Sequence, residues 1–102
     1  MKAWQIETNG EPRDVLQLVD KAEPQPGPGE LVVEVAASAL SMPDVMQCRG
    51  TYSLLPARPM TPGLEFAGVV VAAGEGAKAA VGSKVMGIAA FMTGFGAFAD
   101  RC

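Results

Sequence analysis

Apolar and polar residues alternate from Lys2 to Thr8, with Trp4 and Ile6 on one side and Gln5 and Glu7 on the other. That alternation predicts a half-buried strand. The group Asn9-Gly10-Glu11-Pro12 is a turn signal, and Val15–Asp20 (VLQLVD) is a second β-like run, so the two pair as a hairpin. Lys21–Gly29 interleaves Pro24, Pro26 and Pro28 with Gly27 and Gly29. Those prolines lack backbone donors, which predicts an extended surface loop. Leu31–Ser38 gives the clearest strand, with Leu31, Val33, Val35 and Ala37 on one face and Glu34 and Ser38 on the other. From Leu64 the run LEFAGVVVAA predicts a central strand buried on both faces, and Lys84–Ile88 and Ala97–Asp100 read as two further β segments.

Glycine, proline and one capping pattern punctuate these runs. Ser41 followed by Asp44 approximates a capping box with Pro43 in the first turn, which predicts a helix of about two turns closed by Gly50. Tyr52 then opens an irregular stretch, Ser53–Thr61, broken by Pro56 and Pro59. Pro62-Gly63 fits a type II turn, with glycine at the positive-φ corner. Gly68 interrupts its strand where a backbone approaches closely or bulges. Gly74-Glu75-Gly76 turns the chain again. Six or seven short strands, one short helix and frequent turns predict a mainly β barrel or sandwich rather than a doubly wound sheet.

Composition narrows the function classes. At 102 residues the chain has room for one domain and one core. Its net charge is -3 and its eight basic residues are scattered, so it lacks the basic stripe that nucleic acid requires. The apolar runs are too short for a membrane helix, and MKAWQIE lacks a signal-peptide core, which points to a cytoplasmic protein. Cys48 and Cys102 read as two free thiols. With no histidine and two distant cysteines, neither kind of zinc ligand set can be assembled.

Several residues carry candidate chemistry. GEGAKA, residues 74–79, matches a loose dinucleotide fingerprint after an apolar strand, but Gly82 ends the segment before a helix could face a pyrophosphate. A plain turn is expected there. Ser41 and Asp44 each have a capping role open to them. Glu65 within an apolar run is either a strand charge facing water or a buried carboxylate needing a partner, and Arg49 is a candidate either for that partner or for a cofactor-phosphate contact. Phe91, Met92 and Phe95 are either pocket lining or core filler.

SMPDVMQCRGTY (Ser41–Tyr52) and TPGLEFAG (Thr61–Gly68) together resemble the zinc-free quinone and enoyl reductase branch of the medium-chain dehydrogenase/reductase superfamily. That branch reads N-x-x-D, then R-x-G-x-Y, then P-G-x-E-x-x-G-x-V, and MKAWQI, the Pro/Gly loop before LVVEV and GAFAD are similar to it as well. The resemblance implies a GroES-like irregular β-barrel, the substrate-side domain of an NAD(P)H-dependent oxidoreductase acting on quinones or enones. It implies that NADPH or NADH is bound mainly by a nucleotide-binding Rossmann domain absent from this sequence, so the barrel is expected to be incomplete and inactive alone. A Rossmann-domain partner or a homodimer is the implied assembly, with no metal.

Zinc-dependent relatives carry cysteine where Ser41 stands and histidine where Leu64 stands, so the resemblance assigns carbonyl polarisation to hydrogen bonds. Ser41 and Tyr52 become the implied catalytic donors, and Ser41, Asp44 and Tyr52 the implied cofactor contacts. Phe91 and Met92 line the implied substrate pocket, while Glu65, Gly63 and Gly68 are structural. The family arginine aligns with Cys48, one place before Arg49, and Ser83-Lys84 replaces the usual Asp-Arg. A stand-alone GroES-like binding or scaffold module is the alternative, and a co-chaperonin sharing the barrel a weaker one.

Overall fold

A computed structural model describes residues 1–102. Its elements are β1 (Lys2–Ile6), α1 (Pro12–Val15), β2 (Leu16–Asp20), β3 (Leu31–Ser38), α2 (Met42–Arg49), β4 (Glu65–Ala73), β5 (Lys84–Ile88) and a 3₁₀ turn at Phe91–Thr93. The chain is mainly β, as its pattern predicts, and its strands form two sheets: an antiparallel β1–β2 pair and an antiparallel sheet ordered β3-β4-β5.

The expected hairpin is present with Trp4 opposite Leu18. Its connection differs. Pro12 at the first helical position starts one α-turn, in which Val15 N–H bonds the Glu11 carbonyl at 3.1 Å. That turn carries Val15 into the core and delays β2 to Leu16.

β3 departs from strict alternation because bulges fall between Val32 and Val33 and between Val35 and Ala37. Each bulge resets the side-chain period, so the adjacent Val32 and Val33 are both buried and Ala37 is exposed. β4 is central as expected, but it is not buried on both faces: Gly68 and Val70 are buried while Glu65, Val69 and Ala73 are exposed. Gly68 is the close approach read from the sequence, since a Cβ there would overlap the Glu34 carbonyl of β3.

Ala97–Asp100 forms no regular strand, which leaves five strands rather than six or seven. The segment still does the work of one. Trp4 N–H bonds Phe98 O at 2.8 Å, Asp100 N–H bonds Lys2 O at 2.9 Å, and Val35 N–H bonds Asp100 O at 2.9 Å. These bonds fasten the hairpin to β3 and make the two sheets one unit. The core is small: Ile6, Val15, Cys48 and Met60 form its cluster, with Leu16 packed beside it.

Candidate functional site

Helix α2 begins at the residues the sequence singles out. Ser41 is its N-cap in extended conformation, and Pro43 occupies the first turn. The Asp44 carboxylate is 3% exposed and accepts three hydrogen bonds, from Ser41 N–H at 2.8 Å, Ser41 Oγ at 3.0 Å and Leu64 N–H at 3.1 Å. The first two fix the helix start. The third reaches across to the Pro62-Gly63 turn, where Gly63 has φ +105° as expected of the corner residue. Leu64 N–H, which would close that turn locally, goes to Asp44 instead, while Thr61 O accepts from Gly96 N–H at 3.0 Å. One buried carboxylate therefore joins the two sequence blocks.

Asp44 is enclosed by protein donors and takes the capping role that its spacing from Ser41 allows. The Ser41 hydroxyl donates its hydrogen to Asp44, so it can donate to a substrate oxyanion only by leaving that bond.

At its other end α2 terminates as read, with Gly50 at φ +76°. Tyr52 follows, half-buried, with its ring centroid 6.3 Å from Phe91 at a tilt of 47°. No hydrogen bond within the chain uses its phenol, in contrast to the Ser41 hydroxyl. Phe91 is buried in this contact and Met92 is 52% exposed. Phe95 borders a cleft of about 630 Å³ with Leu31, Val33, Phe66, Ile88 and Thr93, and neither Phe91 nor Met92 is part of that lining.

Arg49 pairs with Glu11 at 2.9 Å and not with Glu65, and their double hydrogen bond holds Glu11 below the usual carboxylate range. Glu65 is exposed at the start of β4 rather than buried, because its side chain falls on the uncovered face of the sheet. The GEGAKA segment forms turns and opens no helix.

Sequence reasoning missed Lys21 and Arg58. Lys21 Nζ donates to Thr61 Oγ1 at 3.2 Å and to Gly94 O at 2.8 Å, and lies 4.2 Å from the centre of the Phe95 ring. Arg58 Nη2 donates to Asn9 Oδ1 at 2.8 Å and Gln47 O at 2.7 Å, placing a cation at the C-terminal end of α2. Burial lowers the pKa of both. Each is held by one backbone carbonyl and one distant side-chain oxygen, and no residue-type pattern marks either as a partner. Burial also raises Cys48, against the Arg58 charge, and raises Cys102 to about 11; both are free thiols, as read.

Two antiparallel sheets stitched by a terminal segment, with a short capped helix tied to a Pro-Gly turn, define a small β-domain of the alcohol dehydrogenase type. Residues 27–102 match the alcohol dehydrogenase GroES-like domain, and the chain belongs to that family. The human synaptic vesicle membrane protein VAT-1 homolog is 49% identical over 61 residues, 60% of this chain and 16% of that protein. Mouse quinone oxidoreductase-like protein 2 is 34% identical over 86 residues, 82% of this chain and 23% of that protein. A mycobacterial structure complexed with NADPH superposes with a TM-score of 0.86 at 32% identity, covering 100% of this chain and 30% of its own. The chain thus spans under a third of the length of these relatives. No helix is long and apolar enough to cross a membrane.

Proposed function

We propose that this chain is the substrate-side domain of a zinc-independent, NAD(P)H-dependent oxidoreductase that reduces quinones or α,β-unsaturated carbonyls by hydride transfer. The observation that carries the reading is the Asp44 carboxylate, which binds both Ser41 and Leu64 and so holds the two reductase-like blocks in one site. When bound, a reduced nicotinamide supplies the hydride. Residues here build no pyrophosphate cradle, so the dinucleotide sits mainly on a nucleotide-binding domain outside this sequence. Tyr52 is the donor left free to steady the developing oxyanion, with Ser41 held in reserve by Asp44. A free-standing scaffold module fits less well, because Leu40, Met86 and Ile88 are 84%, 84% and 70% exposed.

The test is turnover of a panel of small quinones and enones with NADPH, with and without a nucleotide-binding domain supplied from a quinone oxidoreductase. The expected result is no turnover by the chain alone, turnover in the mixture, and loss of about 10²-fold in kcat on Tyr52→Phe. Tight NADPH binding by the chain alone would contradict the proposed place of the cofactor, and an inactive mixture across the panel would remove the activity.

A further inference from the structure

Lys21 follows the last residue of β2, and its backbone N–H bonds Met1 O at 2.9 Å as an extra rung on the hairpin. Its side chain leaves the hairpin for residues 40 and 73 positions further along the chain. The ion pairs of this chain use Lys2, Arg49 and Arg101, and none uses Lys21. The ammonium is met instead by a carbonyl, a hydroxyl and an aromatic face, at 2.8 Å, 3.2 Å and 4.2 Å. An ammonium has three N–H donors in tetrahedral array, and these partners occupy three sides of it.

The partners are themselves linked. Thr61 is 0% exposed, and its N–H bonds Gly94 O at 3.0 Å, so Gly94 O receives both Thr61 and Lys21. The segment so gripped follows the 3₁₀ turn that carries Phe91 against Tyr52, and it presents Phe95 to the cleft. A side chain without donors at position 21 would leave Gly94 O with one donor, Thr61 Oγ1 with none, and the Phe95 face without its cation.

We propose that Lys21 is a positioning residue: its ammonium clamps Gly94 and Phe95 to Thr61 and so sets where Phe91 and Phe95 stand relative to Tyr52 and the cleft. The proposal rests on the reading that these two surfaces face substrate. Lys21 itself touches no reacting atom.

The test combines NMR on the folded chain with binding of 1,4-naphthoquinone as the probe. In the unmodified protein the Lys21 ε-methylene protons are expected upfield of ordinary lysine, shielded by the Phe95 ring. Lys21→Met is expected to speed amide exchange at Thr61 and Gly96 about 10-fold or more, with Val33 and Val70 within about twofold. It should also weaken naphthoquinone binding about fivefold, and Lys21→Arg should restore both. An unshifted Lys21 methylene, unchanged exchange at Thr61 and Gly96, or a loosened segment with unchanged quinone affinity would overturn the proposal. Should Lys21→Met fail to fold, the methylene shift and the Lys21→Arg protein decide the matter. Should the unmodified chain not bind naphthoquinone, the substrate reading fails, while the exchange data still decide the clamp.

Discussion

Asp44 concentrates more of the structure than any other side chain near the candidate site. Its carboxylate takes two donors from Ser41 and one from Leu64 while almost fully buried. Asp44→Asn keeps the shape but turns one acceptor into a donor facing Ser41, leaving buried groups unpaired. A loss of about 3 kcal/mol is expected, read as a lower urea midpoint. The local half of this arrangement is legible in the sequence, because a Ser-x-x-Asp cap acts between residues three apart. The Leu64 half is not, since nothing local announces a bond across 20 positions. The same distinction explains Arg49, whose partner Glu11 lies 38 positions away.

Cys102 makes a pH prediction at this scale. Burial raises its folded pKa to about 11 from an ordinary 9.0, so the fold favours the neutral thiol. Its contribution to stability is complete below pH 9 and is lost as the pH rises towards about 11. Lys21, whose pKa burial lowers, pushes the opposite way in the alkaline range, but it does so equally in a Cys102→Ser variant. The expected outcome is a shallower fall in stability for Cys102→Ser across that window, followed by urea denaturation at fixed pH steps.

Among the elements, β3 and β4 show where a period-two reading stops working. Alternation predicts Leu31, Val33, Val35 and Ala37 on one face, and it fails at the two bulges, which residue types alone do not reveal. Gly68 in the partner strand is the visible trace of that irregularity. Gly68→Ala would drive a methyl group into the Glu34 carbonyl and the Val33 side chain, so the strands must separate or the bulge must shift. A loss of about 3 kcal/mol is expected, the upper end for overpacking, checked by thermal unfolding. α1 is a second case: Pro12 reads equally as a turn residue or as the first residue of a helix, and tertiary burial of Val15 decides between them.

Over the whole molecule, the mainly β class and the order of the five strands were legible because each strand carries its own pattern. How the sheets join was not. The exposed face of β4 and β5 carries Val69, Met86 and Ile88, although the apolar run around Val69 reads as a strand buried on both faces. The folded chain is therefore expected to bind the dye ANS. Met86→Lys with Ile88→Lys should roughly halve that fluorescence with little change in the melting temperature, since neither side chain is in the core.

The seam at Phe98–Cys102 has a consequence for biosynthesis. Trp4 and Lys2 leave the ribosome more than 90 residues ahead of Phe98 and Asp100, and wait for them as hydrogen-bonding partners. Closing so long a loop is entropically slow, so the β1–β2 pair emerges early yet docks only when residues near position 100 follow it out. Stalled nascent chains ending at Gly96 should be cut readily by protease between β2 and β3, and chains in which Cys102 has cleared the exit tunnel should resist. Equal resistance in the two would show that the hairpin docks without its seam.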